Sequence, residues 1–146
     1  VPKMIKKMAD DAVKFNLAVS LHSAIEEVRT SIMPFNEHFP LTDLRESLEY
    51  WYAKTKRKIT YEYVVWEGIN DRNEDVKALI EFCKYVPCKV NLIEYNPIDD
   101  GQFQQASSSA INNYISNLEM HDITVNVRRS RGKYIDAACG QLANKS

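Results

Sequence analysis

The feature that most narrows what this chain can fold into is an alternation. Four short runs suited to strands are separated each time by stretches with helical spacing. The strand runs are residues 16–21, 59–66, 89–95 and 123–128. The first, third and fourth are short apolar runs of the kind found in strands buried on both faces. The second is rich in β-branched and aromatic residues, among them Ile59, Tyr61, Tyr63, Val64, Val65 and Trp66. Between them, Leu41, Leu44, Leu48 and Trp51 fall on one helical stripe. Val76, Leu79, Ile80 and Cys83 make a second, and Ile111, Tyr114, Ile115 and Leu118 a third. Asp71 or Asn73 is placed to cap the second striped helix, and Ser107 or Ser108 the third. A first helix is expected from residue 3 to about residue 13, and a short one over 25–32. Pro34 ends the latter, since proline lacks an amide hydrogen and restricts its predecessor.

Strict alternation implies βα units, an α/β fold and a parallel sheet with right-handed crossovers. Four strands do not close the standard eight-stranded barrel, so an open sheet or part of a barrel is expected. Either leaves an unpaired edge strand. In such folds ligands sit in the loops at the carboxyl ends of the strands. Gly68-Ile69-Asn70-Asp71 and Asn96-Pro97-Ile98-Asp99-Asp100-Gly101 are turn-rich segments in that position.

A length of 146 residues suits one domain with one core. No segment has the roughly 18 consecutive apolar residues of a membrane span. The start, Val1-Pro2-Lys3-Met4, lacks a signal-peptide core, so a cytoplasmic location is expected. A chain opening on valine fits either processing or a piece of something longer. The net charge of −1 gives no overall basic field for nucleic acid. The distribution is more informative. Arg128, Arg129, Arg131 and Lys133 form one basic cluster, and Lys54, Lys56, Arg57 and Lys58 another. Each reads as solvated surface or as a phosphate contact.

The candidate chemistry is sparse. Ser20-Leu21-His22 ends the first strand, where a hydroxyl and an imidazole either hold a polar ligand or begin the next loop. Asn96-Pro97 ends the third. Its asparagine either reads a ribose or an adenine edge, or simply forms a turn. Met33-Pro34-Phe35-Asn36 reads as a helix stop. Of three cysteines, Cys83 and Cys88 lie on apolar elements and read as structural. Cys139 sits among small residues after a basic stretch that can favour a thiolate, and it reads either as a reactive thiol or as a plain tail cysteine. The histidines His22, His38 and His121 have no metal-ligand spacing. With only four glycines there is no phosphate-binding loop. The residues alone reach a soluble α/β domain with a candidate polar-ligand site at the strand ends, a basic patch and one notable thiol, and they do not reach a reaction.

Longer motifs carry a resemblance. The stretch Val125-Asn126-Val127-Arg128-Arg129-Ser130-Arg131-Gly132, continuing to Asp136-Ala137-Ala138-Cys139-Gly140-Gln141-Leu142, resembles the closing signature of the radical-SAM adenine-C2 RNA methyltransferases, the RlmN/Cfr family. Leu17-Ala18-Val19-Ser20-Leu21-His22, Met33-Pro34-Phe35-Asn36, Gly68-Ile69-Asn70-Asp71 and Val90-Asn91-Leu92-Ile93-Glu94-Tyr95-Asn96-Pro97 are similar to other stretches of the same family, in family order. Ser23 and Glu94 depart from its pattern in small ways.

The resemblance implies later βα units of an incomplete TIM-like barrel: a mostly parallel sheet with flanking helices, residues 1–146 forming the carboxy-terminal part of a radical-SAM core domain. It implies a cytoplasmic transferase that methylates carbon 2 of an adenine in large-subunit ribosomal RNA, and in some members in transfer RNA. Ser20, Leu21, His22 and Asn96 match positions that line the S-adenosylmethionine (SAM) pocket. Cys139 matches the cysteine that first receives a methyl group on sulfur. Adenine carbon 2 is a poor nucleophile, so the family converts that methyl group to a carbon radical, using a second SAM cleaved at a 4Fe–4S cluster fed by an electron donor. Arg128, Arg129 and Arg131 are candidate RNA contacts. The Cys-x3-Cys-x2-Cys cluster motif is absent from these residues. The chain alone is therefore expected to be inactive, with no metal ligands of its own. Two other readings are a half-barrel that binds a nucleotide or RNA without catalysis, and an interaction domain that pairs through its sheet edge.

Overall fold

A computed structural model describes residues 2–10, 16–32, 40–96 and 103–131. Five helices and four strands are laid out in it: α1 (Pro2–Asp10), β1 (Leu17–Ser20), α2 (Glu26–Ile32), α3 (Leu41–Thr55), β2 (Ile59–Val65), α4 (Asn73–Cys83), β3 (Cys88–Asn96), α5 (Ser108–Met120) and β4 (Thr124–Arg131). The strands form one all-parallel sheet in the order β1-β2-β3-β4. Each expected element is present, and the α/β class with an open parallel sheet is the one observed.

The periodicities explain the layers. Val19, Tyr61, Val90 and Val125 share one face of the sheet, and the stripes of α3, α4 and α5 close over it in a single core with Ile5 and Ala9 of α1. Trp51, Tyr63, Leu79, Leu92, Tyr114 and Leu118 are fully buried there. At roughly 1.5–3 kcal/mol for each large apolar side chain removed from water, this layer dominates stability. The Tyr63 and Tyr114 hydroxyls lie 2.8 Å apart, and because Tyr114 donates its proton to the Asn70 carbonyl, Tyr63 is the donor between them.

The other face carries no such helical layer among the described residues. Its apolar part is confined to the carboxyl end, where Val64, Trp66, Ile93 and Tyr95 meet Ile32, Ile69 and Phe103. Trp66 stacks on Phe103 with ring centroids 4.8 Å apart.

Two local expectations need correction. The fourth strand was read as buried on both faces, yet Thr124, Asn126, Val127, Arg128 and Arg129 are exposed. Among the described residues it is an edge strand, paired only to β3. The helix over 73–83 is capped at Arg72 rather than at Asp71 or Asn73. There the buried Asp75 carboxylate accepts the Arg72 amide and Nε, both at 3.0 Å. A cap residue with no acceptor is thus served by an aspartate three positions on, which closes half of a capping box. At α5 the expectation holds: Ser107 accepts the Ala110 amide through its hydroxyl at 3.1 Å.

Candidate functional site at the carboxyl ends of the strands

The turn after β1 is the most tightly built part of the strand-end region. Ser20, Leu21 and His22 are all buried. The Leu21 amide continues the β1–β2 ladder by donating to the Glu62 carbonyl at 2.9 Å. The Leu21 carbonyl accepts the Ser23 amide at 2.7 Å and Arg29 Nε at 3.2 Å. The buried Arg29 guanidinium thereby fixes α2 to the turn, and burial lowers its pKa to about 10.

His22 then adopts φ 58°, a left-handed conformation uncommon outside glycine, in which histidine, like asparagine and aspartate, is enriched. Its Nδ1 accepts the Val64 amide at 3.0 Å. The proton of the neutral ring therefore sits on Nε2. Burial, with the nearby Arg29 charge adding to it, pushes the imidazole pKa down to about 3. The ring stands edge-on to Trp66 at 5.4 Å. His22 is thus a neutral imidazole at physiological pH and caps the end of β2 from the end of β1.

One residue completes this arrangement that the sequence reading had treated only as part of a turn. Asn70 is fully buried. Its Oδ1 accepts the Trp66 amide at 2.7 Å, and its Nδ2 donates to the carbonyls of His22 at 2.8 Å and Val64 at 2.7 Å. The Tyr114 hydroxyl donates to the Asn70 carbonyl. Gly68, at φ 73°, supplies the left-handed step that turns the chain back. The signal available in the sequence was an asparagine two residues after a glycine at a strand end. Its partners, however, lie as far as 48 residues away.

The basic residues separate. Along β4, side chains alternate between faces. Val125 packs into the helix-covered core. Arg128 reaches the open face, 3.6 Å from Glu62, and Arg129 reaches the opposite one, 3.0 Å from Glu94. The second basic cluster, Lys54 to Lys58, lies at the amino end of β2 and away from the strand-end turns. Asn96 pairs with Arg131 through the register of β3 and β4, but the side chains of both lie outside the described residues. Cys139, Met33-Pro34-Phe35-Asn36 and His38 also lie outside them.

Below the strand ends, the open face carries a row of polar side chains in register: Ser20, Glu62, Asn91 and Asn126. Asn91 donates to Glu62 Oε1 at 3.1 Å. Glu62 Oε2 is buried and accepts no hydrogen bond, so the exposed Arg128 is its nearest cation. No group of three metal-ligating side chains occurs among the described residues. Cys83 and Cys88 are both buried, and Cys88 Sγ lies 3.6 Å from the Cys83 carbonyl, so these thiols do not fit a cluster site. For SAM, the buried turn at residues 20–22 and the polar row beneath it present hydroxyl, amide and carboxylate groups that suit a ribose and an amino-acid head.

No family model matches the chain. Against curated proteins, it is 74% identical over 146 residues to the probable dual-specificity RNA methyltransferase RlmN of Christiangramia forsetii, covering 100% of this chain and 42% of that protein. It is 73% identical over 145 residues to the protein of the same description from Flavobacterium psychrophilum, again covering 42% of it. Among solved structures, it superposes with a TM-score of 0.83 and 32% identity on a radical SAM methyltransferase from Sphaerobacter thermophilus, over 97% of this chain and 41% of that one. The chain thus spans about 40% of the length of each. The resemblance read from its motifs extends through its whole length.

Proposed function

We propose that this chain is the SAM-binding and methyl-carrying part of a radical-SAM methyltransferase acting on adenine carbon 2 of ribosomal RNA, with transfer RNA as a second substrate. The observation that carries the reading is the coincidence of two things. The identity to RlmN-type proteins runs the length of the chain, and the turn matching the family's SAM pocket is held rigidly at the strand ends.

In this reading Ser20 and the backbone around Leu21 and His22 bind and orient SAM, with Asn96 completing the pocket from β3. His22 does no proton transfer, because its proton is fixed on Nε2 and its other nitrogen is occupied. Its work is to hold the turn in a shape that ligand binding need not reorganise. Cys139 accepts and presents the methyl group. A 4Fe–4S cluster, when bound, supplies the reductive cleavage of SAM; its ligands belong to sequence other than these described residues, as does the contact to an electron donor. The protein works in the cytoplasm, where RNA and reductant are available.

The test is to assay the intact protein that carries this chain for 2-methyladenine in ribosomal and transfer RNA by mass spectrometry, after reconstitution with iron and sulfide. Cys139→Ala should abolish the product. Full methylation by that variant would sink the assignment of Cys139. Absence of 2-methyladenine from the wild type, together with salt-sensitive RNA binding, would move the chain to the binding-module reading.

A further inference from the structure

The open face contains a charge that stability does not account for. Glu62 lies mid-strand in β2, with its side chain 19% exposed. On the other side of the sheet the adjacent layer is Val19, Tyr61, Val90 and Val125, as expected for a parallel sheet. Placing a carboxylate here costs desolvation. Its ion pair returns little, because the partner, Arg128, is 56% exposed and 3.6 Å away. Asn91 satisfies only one carboxylate oxygen. The arrangement makes sense if the guanidinium is what is being held. Asn91 holds Glu62 through its Oε1, Glu62 Oε2 lies 3.6 Å from Arg128 Nη2, and that guanidinium has no other partner among the described residues. An arginine fork of this kind matches the oxygens of a phosphate.

We propose that Arg128, and not its neighbour Arg129, binds the phosphate of a nucleotide laid over the open face, with Glu62 as the residue that positions it. The proposal rests on the nucleotide reading above and sharpens it. A run of arginines that looks like one RNA-binding patch divides into an inner phosphate contact and an outer surface charge. Arg129 points to the opposite face, is 82% exposed and is engaged by Glu94. Arg128 is two register positions nearer the strand ends than the Asn91–Asn126 pair, on the same face and level with Ile93. That is where the phosphate of a nucleotide inserted base-first would remain.

The experiment titrates the full chain with adenosine 5′-monophosphate, adenosine and S-adenosylhomocysteine, with circular dichroism to verify the fold of each variant. Wild type should bind the monophosphate more tightly than adenosine. Arg128→Gln should weaken the monophosphate about tenfold and leave adenosine unchanged, as loss of a charge-assisted contact requires. Arg128→Lys, which keeps the charge without the fork and serves if the glutamine variant does not fold, should fall between. Arg129→Gln should change neither ligand. Glu62→Gln gives the sharpest test. Removing a negative charge beside an anion should strengthen binding by simple electrostatics, whereas loss of positioning weakens it. A gain in monophosphate affinity overturns the role of Glu62. Equal affinity for adenosine and its monophosphate in wild type overturns the phosphate contact and leaves the nucleotide reading in place. Failure to bind any of the three ligands overturns that reading as well. If Arg128→Gln loses only S-adenosylhomocysteine, the guanidinium serves a carboxylate and the phosphate assignment fails.

Discussion

The two faces of the sheet are built from the same strands by opposite rules. On the helix-covered face, consecutive layers are apolar from β1 to β4, and four helices close over them. On the other face, the layer of Ser20, Glu62, Asn91 and Asn126 is polar across every strand, and apolar packing returns only at the carboxyl end. The first face lowers the free energy of the fold. The second holds groups at defined positions without being optimised for stability. A binding surface has that character, because its polar atoms are placed for a partner rather than for one another.

The comparison can be broken most forcefully at the place where the faces meet. Asn70→Ala strands the Trp66 amide and two carbonyls in a buried site, and at about 1–3 kcal/mol for each unsatisfied group it should cost several kcal/mol in urea unfolding. A loss under about 1 kcal/mol would mean that the strand-end turns are held by something else. Leu92→Ala probes the covered face alone and should cost about 2–5 kcal/mol in the same assay.

An intermediate effect is expected from pH. His22 has its pKa depressed from 6.5 to about 3 in the folded chain. The unfolded state therefore takes up a proton first, and the stabilising contribution is complete above pH 6.5 and lost as pH falls toward 3. Between those values stability should drop by up to about 1.4 kcal/mol per pH unit from this group. His22→Gln should flatten that part of the profile, and an unchanged slope would refute the neutral imidazole. The smallest effect belongs to the open face. Glu62→Val should alter stability by no more than about 1 kcal/mol, in either direction, while removing the anchor of Arg128. A loss as large as that of Leu92→Ala would show that the polar row is structural.

The elements were legible in the sequence because each depends on neighbours a few residues away. Apolar runs mark β1, β3 and β4 and a β-branched, aromatic run marks β2, while apolar stripes mark α3, α4 and α5. What was missed depends on contacts between distant segments. Thr124, Asn126 and Arg128 alternate with Val125 and Val127, a one-sided pattern that the apolar valines obscured. Glu62 carries no signal of its own within a run of β-branched and aromatic residues, and only the register sets it between Ser20 and Asn91. His22 was correctly placed at a strand end, but its left-handed backbone and its bond to Val64 follow from the packing of β1 against β2. Asn70 was recognised as a turn residue, and its partners across the site were invisible locally. The SAM-pocket and methyl-carrier assignments for Asn96 and Cys139 came from resemblance alone, since an asparagine before proline or a thiol near a basic run has no distinctive local physics.

The two tryptophans of the chain are divided between the two faces, Trp51 on α3 in the covered core and Trp66 stacked on Phe103 beside His22. The molecule therefore contains a separate fluorophore for each layer. In a Trp51→Phe background, emission would come from the open face alone, and a ligand settling near Phe103 would change its wavelength or quench it. In a Trp66→Phe background, the remaining signal would follow global unfolding. Occupancy and folding can thus be read by the same optical measurement, without a label, from a single chain.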